Sequence, residues 1–85
     1  MKPVTIYTKS WCGYCRRAKA LLDRKSIPYE EIDVGVTPAL EAEMIERAGG
    51  VWTVPQVFVG DHHVGGSDEL HALEARGALD PLLES

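Results

Sequence analysis

An α/β domain, with a four-stranded mixed sheet flanked by helices, is what this chain predicts, and three observations carry the expectation. A β-rich run, Val4-Thr5-Ile6-Tyr7-Thr8, leads through a short loop into an apolar stripe at helical spacing formed by Cys15, Ala18, Leu21 and Leu22. A second strand-then-helix pattern follows. Two further β runs then stand on either side of Gly60-Asp61, the signature of a hairpin. A βαβ crossover makes the first two strands parallel, and a hairpin must add its strands antiparallel, so the sheet is mixed.

Each element has a local reason. Val4 to Thr8 alternates and is β-rich, and the helix from about Gly13 to Lys25 ends because Pro28 restricts Ile27. Tyr29 to Val34 is a second short strand, weakened by Glu30-Glu31. Thr37 is a good N-cap with Pro38 at the first helical position. Leu40, Met44, Ile45 and Ala48 then recur on one face until Gly49-Gly50 stops the helix. Gln56 to Val59 is the third strand and His62-His63-Val64 the fourth, with both histidines on a hairpin open to water. Ser67 is expected to cap a third helix whose first turn carries Asp68 and Glu69, and Leu70 and Leu73 face inward before Gly77. A last apolar turn holds Leu79, Leu82 and Leu83. Met44 and Phe58 belong to the core.

The chemistry is concentrated in Cys12-Gly13-Tyr14-Cys15, which holds the only two cysteines of the chain. Backbone N–H groups in a first helical turn carry partial positive charge and favour a thiolate, the nucleophilic form of the side chain. Cys15, three positions on, comes round to nearly the same helix face, close enough to attack a mixed disulfide formed at Cys12. A structural zinc site would need two more ligands. No second cysteine pair exists, and His62-His63 and His71 lack the spacing of a helical ligand pair, so no metal site is expected.

The 85 residues make one domain, residues 1–85, with neither repeats nor a linker. Two cysteines are too few for a secreted disulfide scaffold. Met1-Lys2-Pro3 leads straight into a strand, and no apolar run reaches the length of a membrane span, so a reducing, cytoplasmic setting is expected, with no membrane partner. The net charge of −4 argues against nucleic acid. Its distribution says more: Lys9, Arg16, Arg17, Lys19, Arg24 and Lys25 stand against Asp23 alone, which is +5 around the cysteines and −9 elsewhere. Positive charge there favours the thiolate and draws anionic thiols toward it.

Five blocks stand out in order: Tyr7-Thr8-Lys9, Cys12-Gly13-Tyr14-Cys15, Thr53-Val54-Pro55-Gln56-Val57-Phe58, Gly65-Gly66-Ser67-Asp68 and the ending Ala75 to Leu83. Taken together they resemble the glutaredoxins, a family of small oxidoreductases with the thioredoxin-like fold. It implies a glutathione-dependent thiol-disulfide oxidoreductase that reduces protein-glutathione mixed disulfides and protein disulfides. Cys12 would be the nucleophile and Cys15 the resolver. Electrons would come from glutathione reductase through glutathione, and the enzyme would act as a monomer. The resemblance also implies a cis peptide at Pro55, with the Val54 backbone free to pair with glutathione beside Cys12, and Thr53 in the same wall. Gly66, Ser67 and Asp68 would form the opposite wall, holding the γ-glutamyl end. Lys9 would meet a glutathione carboxylate or the Cys12 thiolate, and Tyr14 would line the groove.

Three departures from the family pattern bear on function. Gly13 stands where many members have proline, and some members without it hold a [2Fe-2S] cluster between two subunits. A cluster-bridged dimer acting as scaffold or carrier is therefore the alternative reading. Gly50-Val51-Trp52 stands where a basic residue often precedes Thr-Val-Pro, leaving one carboxylate contact without a partner unless Arg47 reaches in. Trp11-Cys12-Gly13 also begins the thioredoxin active site, but Tyr14 follows in place of proline. A redoxin fed by thioredoxin reductase would lack the glutathione-binding blocks.

Overall fold

The computed structural model describes residues Met1–Ser85. The elements follow in the order β1 (Val4–Thr8), α1 (Gly13–Arg24), β2 (Glu30–Asp33), α2 (Pro38–Arg47), β3 (Gln56–Val59), β4 (His62–Gly65), α3 (Ser67–Ala75) and α4 (Leu79–Glu84). They build one four-stranded sheet in the order β2-β1-β3-β4. β1 runs parallel to β2 and antiparallel to β3, which pairs antiparallel with β4. The architecture is the expected mixed sheet flanked by helices.

The sheet divides the interior in two. Val4, Ile6, Val57 and Val59 pack against Ala18, Leu21 and Leu22 of α1, Leu70 of α3, and Leu79 and Leu83 of α4. On the other face Tyr7 and Phe58 pack against Met44 and Ala48 of the α2 segment and Val34. Helices cover both faces of the central strand, so β1 does not alternate between core and solvent: Tyr7 and Ile6 are both fully buried. Met44 and Phe58 lie in the core as expected.

Two local expectations change. Gly66, not Ser67, is the N-cap of α3. The Ser67 side chain turns inward, its hydroxyl 3.4 Å from His71 Nδ1, and the Glu69 carboxylate takes over by accepting from the Gly66 N–H at 2.7 Å. His63 is not a water-exposed hairpin residue. Its ring stacks on Phe58 at 4.8 Å and bonds to the Gln56 side chain, and burial, followed by the neighbouring His62, holds it below the ordinary imidazole range. No helix is long and apolar enough to cross a membrane.

Candidate active site

β1 delivers the chain to a loop in which Trp11 adopts a left-handed conformation, φ 63°, unusual for a bulky residue. The loop places Cys12 at the N-cap of α1, in extended conformation (φ −100°, ψ 111°). Cys12 Sγ accepts from the Cys15 N–H at 3.1 Å, so the sulfur itself satisfies one of the free amides of the first turn. A cap usually made by an oxygen is made here by sulfur. Cys12 is partly accessible to solvent, whereas Cys15 is 1% exposed. The Cys15 thiol is pushed up to about 12, first by burial and next by its contact with the Cys12 sulfur, against which act a backbone hydrogen bond from Lys9 and, less strongly, the Lys19 ammonium. One cysteine is open to solvent; the other is held back as a thiol.

The segment before β3 forms one wall. The Val54–Pro55 peptide bond is cis, as the resemblance implies. Cys12 Sγ lies 3.9 Å from the Val54 carbonyl oxygen, and the Val54 N–H has no partner in the chain. Gln56 holds this wall from below. Its Nε2 donates to the Thr53 carbonyl at 2.9 Å and lies 3.4 Å from the Thr53 hydroxyl, while its other amide atom bonds to His63.

Gly65-Gly66 forms the second wall. Gly65 has φ 115°, a conformation that favours glycine, and a Cβ there would stand 3.0 Å from Glu69 Cγ, close enough that the Glu69 side chain would have to shift. A Cβ on Gly66 would lie 3.5 Å from the Pro55 carbonyl, which shows how closely the two walls meet. The N–H groups of Ser67 and Asp68, in the first turn of α3, have no acceptor four residues back within the helix. The Asp68 carboxylate is exposed and stands 3.9 Å from the Arg17 guanidinium of α1. Tyr14 is exposed at the start of α1, with Arg17 lying 6.0 Å over its ring.

Two basic residues have other partners. Lys9 pairs with Glu41 of α2 at 2.7 Å and lines a cavity that also reaches Cys12. Arg47 does not reach the mouth: its guanidinium lies 4.2 Å over the Phe58 ring and donates to the Tyr7 hydroxyl at 2.8 Å. Tyr7 in turn donates to Glu43 at 2.8 Å. Burial pushes the Tyr7 hydroxyl above its ordinary range despite the guanidinium beside it.

Sequence reasoning did not single out Gln56, nor Thr8 and Glu31 beneath Cys15, and counted Lys19 only within the basic cluster around the cysteines. Thr8 donates to Glu31 Oε2 at 2.8 Å and Lys19 Nζ lies 3.0 Å from the same oxygen. The spacing of Lys19 four residues after Cys15 was the available signal. Nothing local ties Glu31 to either.

The glutaredoxin family profile matches residues 4–64. A Pseudomonas aeruginosa glutaredoxin is 53% identical over 85 residues, covering 100% of both chains. The solution structure of a Brucella melitensis glutaredoxin superposes with a TM-score of 0.85 at 57% identity, over 98% of this chain and 89% of that one. The crystal structure of a buckwheat glutaredoxin-glutathione complex superposes with a TM-score of 0.87 at 34% identity, over 98% of this chain and 77% of the other. A cysteine pair at a helix start, a cis-proline wall beside it and a two-glycine wall before a second helix thus coincide with family likeness over nearly the whole length, and the chain belongs to the glutaredoxin family of thiol-disulfide oxidoreductases.

Proposed function

We propose that the protein uses glutathione to reduce protein-glutathione mixed disulfides and protein disulfides. The observation that carries this is the placement of the Cys12 sulfur 3.9 Å from the Val54 carbonyl, beside a Val54 N–H without a partner. An extended peptide with a thiol can pair with that backbone as an added strand and bring its sulfur to Cys12.

The Cys12 thiolate attacks the glutathione sulfur of the substrate's mixed disulfide. The Cys12–glutathione bond forms, the substrate's sulfur–sulfur bond breaks, and the substrate thiol leaves with the electron pair. A second glutathione attacks the sulfur now bound to Cys12 and releases Cys12 and glutathione disulfide. In the dithiol route Cys15 attacks Cys12 instead, giving an internal disulfide that glutathione reduces. Electrons return through glutathione reductase and NADPH. Thr53, Val54 and Pro55 hold the cysteinyl part of the ligand. Ser67 and Asp68 N–H groups hold the γ-glutamyl carboxylate at the Gly66 cap, Asp68 accepts from the ligand's amino group, and Tyr14 borders the groove. Lys9 binds a glycyl carboxylate after leaving Glu41. Trp11, 94% exposed, and Trp52, 69% exposed, stand beside Cys12 and Thr53 in the chain and suit an apolar protein surface as partner.

The test supplies purified protein with a glutathionylated peptide and either glutathione plus glutathione reductase or thioredoxin reductase as electron source. Turnover is expected with the first only; turnover with the second alone overturns the reading.

A second reading, the cluster-bridged dimer, rests on Gly13. A side chain there would meet only the Arg16 guanidinium, at 4.0 Å, so the start of α1 beside Cys12 is uncrowded. Cys15 is too buried to ligate, so Cys12 is the thiolate each chain offers and glutathione must supply the remainder. Anaerobic reconstitution with iron, sulfide and glutathione should then give a coloured dimer. A colourless monomer eliminates the carrier and leaves the thiol chemistry intact.

A further inference from the structure

Beneath the cysteine pair, α1 and the C-terminal ends of β1 and β2 enclose an open cavity of about 400 Å³, lined by Thr8, Cys12, Cys15, Lys19 and Glu31 among others. Of the two walls of the groove and Tyr14, none borders it; the two sites share Cys12 and Lys9. Lys19 stands one helical turn after Cys15 on the same side of α1. Its ammonium is held there: Glu31 Oε2 accepts from Lys19 at 3.0 Å and from the buried Thr8 hydroxyl at 2.8 Å. The parallel register of β1 and β2, which sets Ile6 opposite Glu31 and Thr8 opposite Asp33, brings the carboxylate under the helix.

The dithiol route places a demand on this floor. Before Cys15 can attack the Cys12–glutathione disulfide it must give up its proton, which leaves through the cavity to water. The Cys15 sulfur then bonds to Cys12, the Cys12–glutathione bond breaks, and glutathione departs with the electron pair and takes a proton from solvent. Burial opposes the first step, as the upward shift of the Cys15 thiol records. The charged and titratable groups around it are Lys9 in the loop, Arg16 and Lys19 on α1, and Glu31 and Asp33 on β2. The Lys9 ammonium is bound to Glu41, leaving the Lys9 backbone to favour the Cys15 thiolate by a hydrogen bond. Arg16 is exposed and adjacent to Cys15 in sequence, where helix geometry does not bring side chains together, so Lys19 is the positive side-chain charge that remains.

We propose that Lys19 assists the resolving step by stabilising the Cys15 thiolate from the cavity side, and that Glu31 and Thr8 are positioning residues that keep its ammonium there. This rests on the dithiol route proposed above. It assigns Lys19, Glu31 and Thr8 a role that glutathione binding does not require.

The test isolates the internal step. Protein loaded with glutathione on Cys12 by glutathione disulfide at low pH is mixed into buffers of rising pH, and formation of the Cys12–Cys15 disulfide is followed by release of glutathione. Lys19→Met, which keeps the stem and removes the charge, is expected to slow this step about three- to tenfold at neutral pH and to move its pH midpoint upward. Lys19→Arg should restore much of the rate. Monothiol turnover of the same variants, measured in the Cys15→Ser background, is the comparison. An unchanged rate and midpoint in Lys19→Met overturns the proposal, and so does an equal loss in the monothiol assay. Failure of the glutathione reading itself would appear separately, as a parent protein that closes its disulfide normally yet does not turn over with glutathione.

Discussion

Cys12 lies outside the first turn of α1 with its sulfur accepting from the Cys15 N–H, whereas Cys15 lies inside that turn, 1% exposed, with its thiol pushed up to about 12 by burial and the neighbouring Cys12 sulfur. The two are the same residue type three positions apart. The offset is enough because a helix N-terminus is a boundary: a side chain at the cap meets free amides and solvent, and one a turn inward meets the core side of the helix. Ala18, Leu21 and Leu22 continue the buried stripe that Cys15 begins. An accessible cysteine and a buried one thus follow from a three-residue offset and the place where the helix starts.

The largest effect should come from exchanging the two by mutation. Cys12→Ser is expected to reduce turnover of a glutathionylated peptide by more than about 1000-fold, while Cys15→Ser stays within about tenfold of the parent and loses mainly the reduction of protein disulfides. Two equally inactive variants would break the comparison. Alkylation probes it without mutation. Iodoacetamide at neutral pH should label Cys12 at least about 100-fold faster than Cys15, read by peptide mass mapping, and the difference should vanish in denaturant.

A third prediction sharpens the Cys12 side. Gln56→Leu removes the donor that fixes the Thr53 carbonyl and leaves His63 unpaired. It should raise the KM for glutathione about three- to tenfold with a smaller change in kcat, on the scale of one lost hydrogen bond. An unchanged KM in a variant with native circular dichroism would show that the wall stands without it.

The fourth concerns the Cys15 side. Burial pushes the Glu31 carboxyl up, but the Thr8 hydroxyl and Lys19 ammonium together outweigh this and hold it below the ordinary carboxylate range. A carboxyl depressed in the folded state contributes stability above its unfolded value of 4.5 and loses it as pH falls through the folded value. Glu31→Gln should therefore show a shallower loss of Tm than the parent as pH falls below about 4.5. The difference should be no more than about 1 kcal/mol, because solvent screens a carboxylate this exposed. Parallel acid curves would place Glu31 outside the network. Smallest of all, Gly13→Pro should leave reductase turnover within about twofold, since proline is tolerated in a first helical turn.

Much of the site could be read from local pattern. Val4 to Thr8, the stripe behind Cys15 and Thr37-Pro38 announce their elements because periodicity, capping and proline act within a few residues. The start of α3 was legible to within one position. Ser67 has the chemistry of a cap, but its hydroxyl is drawn toward His71 and a backbone amide is met by Glu69 instead. Arg47 shows the opposite limit. Its charge suggested the groove, yet the aromatic faces of Phe58 and Tyr7, brought under it by β1–β3 pairing, form a site that its flat guanidinium fits.

By itself the sequence determined the type of every strand and helix and the siting of Cys12 and Cys15 at a helix start, because each depends on neighbours within one or two turns of chain, whereas the segments that flank Cys12 were named through the likeness to a family. The strand order β2-β1-β3-β4, the burial of β1 on both faces, the meeting of Pro55 with Gly66, and the Thr8–Glu31–Lys19 floor under Cys15 were decided only by the tertiary structure. Those contacts join segments 23 and 12 residues apart through the register of paired strands and the docking of a helix on a sheet. No local propensity encodes that register; it is selected by burying the most apolar surface while leaving the fewest polar groups unpaired.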